Sequence, residues 1–108
     1  MQAEPIGQHV GCTATVVMIT PDEIICANAG DTRSIMARRD GQVLALSEDH
    51  KPENRRETFR IEKAGGFVRQ NRLCGNLSLS RGFGDFEYKS DKTLDYKEQI
   101  LTCDPDII

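Results

Sequence analysis

The residues with the most chemical promise sit in one stretch, Ala27-Asn28-Ala29-Gly30-Asp31-Thr32-Arg33. An apolar run from Ile24 to Ala27 enters it, and a second run from Ser34 to Ala37 leaves it. The Gly30-Asp31 pair between them is a hairpin-turn signal. That would put the Asp31 carboxylate at the tip where two strands meet, a common place for a ligand. Asp also suits a turn in its own right, because its side chain bonds nearby backbone N–H groups. The other reactive side chains have structural readings. His50, ahead of Lys51-Pro52, reads as a hydrogen-bonding residue of a turn rather than a base. Arg33 and Arg81 read as partners of local carboxylates, and Asp85 as the tether of its loop. Gly75, Gly82 and Gly84 signal close backbone packing, since neither the G-x-G-x-x-G nor the Walker spacing of a phosphate cradle is present.

Composition narrows the field. The 108 residues suffice for one small domain. Fourteen basic residues against 17 acidic ones leave a net charge of −3, which argues against a nucleic-acid partner. The longest apolar stretches, such as Val16 to Ile19, are far too short to span a bilayer, and no membrane partner is expected. Met1 is followed by polar residues without the pattern of a signal peptide. The four cysteines, Cys12, Cys26, Cys74 and Cys103, show no C-x-x-C spacing. Four reduced thiols and a cytoplasmic or nuclear setting are the expectation.

The elements that must position these residues follow in order. Met1 to Val10 is an irregular lead-in. Strands are predicted over Cys12 to Ile19, Glu23 to Ala29, Arg33 to Ala37 and Gln42 to Leu46, joined by turns at Thr20-Pro21-Asp22, Gly30-Asp31 and Arg38-Arg39-Asp40-Gly41. Short turns between them predict an antiparallel meander. A helix over Arg55 to Ala64 has Asn54 as its cap, Glu57 completing a capping-box-like pair, and Gly65-Gly66 as its stop. Its basic residues Arg55, Arg56, Arg60 and Lys63 read as a solvated face. Gln70-Asn71 suits a two-residue hairpin. Leu77 and Leu79 alternate as in a strand. Phe86 to Gln99 reads as a long loop or flap, Ile100 to Cys103 as a last short strand, and Pro105 to Ile108 as a tail. The class is α+β with strands dominant. Apolar runs without strict alternation imply a sheet covered on both faces, and one helix can cover only part of one face.

The order of motifs adds a resemblance. Gly11-Cys12-Thr13-Ala14 is followed by Asn28-Ala29-Gly30-Asp31-Thr32-Arg33, then Leu46-Ser47-Glu48-Asp49-His50-Lys51-Pro52, Glu57 with Arg60-Ile61, and Ala64-Gly65-Gly66. Arg72 to Asp85 and Cys103-Asp104-Pro105-Asp106-Ile107 complete the series. It resembles the metal-dependent protein serine/threonine phosphatases of the 2C type from Gly11 to Ile108. Each tetrapeptide is weak alone, and six in the right order are specific. Departures are mild: Cys12 and Thr32 stand where Ser is common or usual, and Gly82-Phe83 where the family often has Ala and an apolar residue.

The resemblance implies part of a four-layer sandwich, antiparallel β-sheets flanked by helices. It implies hydrolysis of phosphoserine and phosphothreonine in a phosphorylated protein substrate, by a water bridging two Mg²⁺ or Mn²⁺ ions. It makes residues 1–108 the central part of the catalytic domain, with 86–99 as the flap beside the site. The family's phosphate-gripping arginine and metal-bridging Asp-Gly pair would precede these residues, and its Asp-Gly-x-Trp-Asp and Asp-Asn motifs would follow them. Asp31 is the one residue that matches a metal ligand, and no catalytic residue is carried over. Inactivity of the 108 residues alone, and self-association through unpaired sheet edges, are expected. Rival readings are a truncated or pseudo-phosphatase acting as a binding module, and half of a complemented enzyme.

Overall fold

The computed structural model describes residues 8–108; the first seven residues of the expected lead-in lie outside the described residues. Ten short elements follow: β1 (Gly11–Cys12), β2 (Ala14–Ile19), β3 (Ile24–Ala29), β4 (Ile35–Ala37), β5 (Val43–Ala45), α1 (Arg55–Lys63), β6 (Val68–Arg69), β7 (Arg72–Leu73), β8 (Phe83–Gly84) and β9 (Asp106–Ile107). A single 3₁₀ turn, Phe86–Tyr88, follows β8. All strand pairs are antiparallel, so the class is α+β as expected.

Local turn chemistry sets the hairpins. β2 and β3 pair from Ala14↔Ala29 to Ile19↔Ile24, and the Thr20 hydroxyl accepts the Glu23 N–H at 3.0 Å across the turn. β4 and β5 pair around the turn at Asp40-Gly41, where the Gly41 N–H donates to the Arg38 carbonyl at 3.0 Å. Gln70 and Asn71 both take positive φ, 53° and 61°, the mirror-image turn whose twist matches the strands β6 and β7 that it joins. Helix α1 stops where Gly65-Gly66 predicts. Gly65, at φ 90°, sends its N–H to the Glu62 carbonyl and Gly66 sends its own to Ile61, the Schellman pattern.

Long-range pairing departs from the sequence expectation. The meander breaks at Gly30: β3 and β4 lie in different sheets, and β3 takes β9 as its second neighbour, with Ala27↔Ile107 and Asn28↔Asp106. The reason is that the Gly30 backbone bonds His50 on both sides instead of a partner strand. The tail at Pro105–Ile108 therefore becomes a strand, while Ile100–Cys103 makes only an isolated bridge from Thr102 to Arg81. Leu77 and Leu79 do not form a strand either. Cys74 and Gly75 both have positive φ and curl the chain so that Leu77 bonds back to Leu73. The predicted first strand is interrupted at Thr13, and its start, β1, pairs with β8. Here Gly82 and Gly84 do pack backbones closely, a Cβ on the first lying 2.8 Å from the Cys12 carbonyl and on the second 2.3 Å from the Val10 carbonyl, whereas Gly75 has room for one and serves instead a positive φ of 73°. The four cysteines are unbonded to one another.

The core is small. Cys26, Ala29, Ile61, Leu73 and Leu101 are its buried apolar side chains, beside buried Asn28, His50, Glu57, Ser80, Arg81 and Thr102. Among the described residues the β2–β3–β9 sheet lacks the two covering layers that its apolar runs imply. Val16 is 62% exposed and Ile19 74%, and Val17 and Met18 between them are exposed too, so both faces of β2 are bare. Among the described residues its outer edge pairs with no strand. Such an edge templates association. The isolated 108-residue polypeptide is predicted to dimerise, exchange strands or aggregate, and Ile19→Lys to reduce this. Light scattering reads the outcome; a stable monomer at high concentration with a cooperative melt contradicts it.

Candidate functional site

Asp31 does not cap a hairpin. It sits where the chain passes from one sheet to another, and its surroundings are built by hydrogen bonds to the neighbouring peptide. The Gly30 N–H donates to His50 Nδ1 at 3.0 Å. The Gly30 carbonyl accepts from the His50 N–H at 2.9 Å and from Asn28 Nδ2 at 3.2 Å. With Nδ1 accepting, His50 carries its proton on Nε2 and donates it to Asp106 Oδ2 at 2.9 Å. His50 is thus the structural hydrogen-bonder its turn suggested, spanning from β9 to the residue before Asp31. The Asp31 carboxylate itself accepts from Lys51 Nζ at 2.9 Å and is partly buried.

Arg33 and Arg81 both find carboxylates, but those of Arg81 are brought in by the fold from 24 and 25 positions away and are not local as expected. Arg33 grips Asp49 with two parallel bonds, 3.0 and 2.7 Å, and this hydrogen bonding holds the Asp49 carboxyl below its ordinary range. Arg81 makes a bidentate pair with Glu57, both bonds 2.8 Å, and turns its remaining nitrogen to the Asp104 carbonyl at 3.1 Å and Asp106 Oδ1 at 3.2 Å. Asp85 ties down its loop: in the left-handed conformation, φ 48°, its N–H donates to the Val10 carbonyl and its carbonyl accepts from Tyr88.

Glu57 and Arg60 correct the sequence reading. Asn54 makes no side-chain cap bond; its amide donates to the Asp49 carbonyl instead. Glu57 does not reach back to complete a capping box. It is 1% exposed and accepts from Ser80 Oγ and Arg60 as well as Arg81, each at 2.8 Å. Arg60, read as solvated, lies inward and donates also to the Ser80, Gln99 and Ile100 carbonyls. Arg56 reaches Asp106. Only Arg55 and Lys63 keep the solvated role. Burial alone would push the Glu57 carboxyl up, but the hydrogen bonds from Arg81, Arg60 and Ser80 and the charge of Arg60 outweigh it and bring it down to about 2. Asp106 is likewise lowered: burial opposes ionisation, and bonds from His50 and Arg56 with the charge of Arg81 overcome that. The sequence signal for this network was faint: a Glu-x-x-Arg spacing on one helix face and an acidic residue inside an apolar tail.

A metal centre needs several convergent oxygen ligands. Among the described residues no group of three or more His, Cys, Asp and Glu side chains is arranged to hold a metal ion, and the one candidate carboxylate, Asp31, faces the Lys51 ammonium. The residues present do not by themselves make a metal site.

Known proteins place this arrangement. The chain is 50% identical over 102 residues to Protein phosphatase 2C homolog 2 of Saccharomyces cerevisiae, covering 93% of this chain and 22% of that protein. It is 52% identical over 97 residues to Probable protein phosphatase 2C 6 of Paramecium tetraurelia, covering 90% of this chain and 32% of that one. A solved phosphatase from Toxoplasma gondii superposes with a TM-score of 0.76 at 41% identity, over 78% of this chain and 26% of its own. The fold is thus that of a phosphatase-type domain. Residues 2–108 match the family Protein phosphatase 2C, and the chain belongs to it. It spans about a fifth to a third of the length of these curated relatives.

The Glu57 network generates a stability prediction. Glu57→Gln leaves the buried Arg60 guanidinium without a counter-charge and Arg81 with Asp106 alone, a loss of about 3–5 kcal/mol read by urea denaturation. The parent's stability falls as pH drops from the ordinary glutamate value towards about 2, because the unfolded chain takes up the proton first. The Gln variant lacks that component, so its stability changes less over the same window. An equal slope in both proteins contradicts the assignment.

Proposed function

We propose that residues 1–108 form the central part of a 2C-type phosphatase catalytic domain and that the intact domain hydrolyses phosphoserine and phosphothreonine in protein substrates. The match to the family over residues 2–108 carries this reading, and the likeness to the yeast and Paramecium phosphatases supports it. Residues 86–99 are the flap beside the site, and a cytoplasmic or nuclear location goes with the reading.

Metal dependence, with Mg²⁺ or Mn²⁺ as the ion, belongs to the intact domain in this proposal. Asp31 is the residue of this stretch assigned to metal. What supports it is its position: a partly buried carboxylate whose backbone neighbour is held by His50 and Asn28 and whose present partner is a cation, Lys51. Hard divalent ions favour such oxygen ligands. The remaining ligands lie outside these residues, so the role of this stretch is to present Asp31 at a fixed place. The ion pair with Lys51 orients the carboxylate, and the Glu57–Arg81–Asp106 network fixes the ground on which His50 stands.

Two outcomes follow. In the intact domain, Asp31→Asn raises the Mg²⁺ concentration needed for half-maximal activity on a phosphothreonine peptide by about tenfold or more, while the melting temperature is largely preserved because Asn can still accept from Lys51. An unchanged metal dependence removes Asp31 from the metal site. The 108-residue polypeptide alone shows no turnover with millimolar Mn²⁺, because a binuclear site needs several carboxylates around ions roughly 3.5–4 Å apart. Turnover that follows the polypeptide across a gel-filtration peak and is abolished by chelator contradicts this.

A further inference from the structure

A groove of about 160 Å³ lies between α1 and the far end of the 86–99 stretch, lined by Phe59, Arg60, Lys63, Leu94, Lys97 and Glu98. Phe59 is its most unusual feature. The helix turns Glu57 and Ile61 inward, whereas Phe59 points out and is 69% exposed. Its ring carries the Lys63 ammonium at 6.0 Å from the centroid, one helical turn further on. On the opposite wall Lys97 stands in the same way over Tyr96, at 5.8 Å. Leu94 supplies a second apolar surface.

The two walls are locked together. Arg60, on α1, donates to the Gln99 and Ile100 carbonyls at 3.1 and 3.2 Å. The Gln99 side chain donates in turn to the Asp91 and Leu94 carbonyls at 2.7 and 3.0 Å. Thr102 holds the Tyr96 carbonyl at 2.6 Å. The groove is therefore preformed, and a partner would not have to order it on binding.

Its chemistry is selective. The volume admits one apolar side chain and falls well short of a small-molecule pocket, typically about 300–1,000 Å³. Arg60 is neutralised by Glu57, which leaves two rim ammoniums, Lys63 and Lys97, against one carboxylate, Glu98. On a chain of net charge −3 this is a local positive spot, and complementarity selects an acidic partner. An ammonium resting on an aromatic ring still has donors free for a carboxylate.

We infer that this groove docks an acidic peptide segment of a partner protein, with one bulky apolar side chain seated on Phe59 and Leu94 and flanking carboxylates on Lys63 and Lys97. The inference goes beyond the phosphatase reading and stands on the groove alone.

The probe is a fluorescein-labelled, unphosphorylated heptapeptide of aspartate and glutamate around a central leucine, titrated by anisotropy against the full-length protein that carries these residues. Metal is omitted, so the result reads the groove whether or not the protein removes phosphate. Saturable binding is expected, weakened about tenfold by Phe59→Ser, by Lys97→Glu, or by a central serine in the peptide, and weakened further at about 0.5 M salt. Both substituted side chains are exposed, and a melt of each variant checks that the fold is kept. The inference is overturned if no binding appears up to millimolar protein. It is also overturned if Phe59→Ser binds like the parent, or if the serine peptide binds as tightly, since that shows a bare charge effect without an apolar seat.

Discussion

The structure depends on a carboxylate that has almost no contact with water. Glu57 would be costly to bury alone, and it is kept ionised by two guanidiniums and a hydroxyl that converge on it from α1 and from Ser80-Arg81. The pair is shared rather than isolated: Arg81 also holds Asp106 on β9, and Asp106 also holds His50 and Arg56. Helix, β9 and the bend at Gly30 are thereby fastened to one another through charge. With a core of only a few apolar side chains, directional bonds of this kind decide which segments meet. Hydrophobic contact could tolerate a shifted helix; a bidentate arginine pair could not.

The same network explains why the Asp31 site is legible only in part. The hairpins and the helix stop are local, and turn residues such as Gln70-Asn71 and Gly65-Gly66 announce them. The bend at Gly30-Asp31 carries a turn signal as well, but there the backbone is satisfied by His50, so the two strands diverge instead of pairing. Nothing near Ile24–Ala29 in the sequence says that its second neighbour is β9 rather than β4, because that choice is made by long-range bonds through Asp106 and Arg81.

Charge was the harder part to read. A glutamate in the first turn of a helix has a good local use as a cap, and an arginine on a helix face has a good local use in solvent. Both uses are correct on average and wrong for Glu57 and Arg60, whose partners lie some twenty to forty positions away in sequence. By contrast Arg33 does what its neighbourhood suggests: it stays exposed while it pairs with Asp49. The motif order carried the family without revealing this network, since an ordered series of short motifs identifies descent and does not say which side chains are buried.

The His50–Asp106 bond spans 56 positions, which bears on how the chain is made. A ribosome adds about 5–20 residues per second, so helix α1 and the Gly30 bend emerge several seconds before β9. During that interval Glu57 can find Arg81, Arg60 and Arg56, but the His50 Nε2–H and the edge of β3 that β9 covers have no partner. β9 acts as a latch: until it arrives, the segment from the Gly30 bend to α1 is collapsed but keeps an unmet His50 donor and a free sheet edge, the state in which a nascent chain most needs shielding from its neighbours.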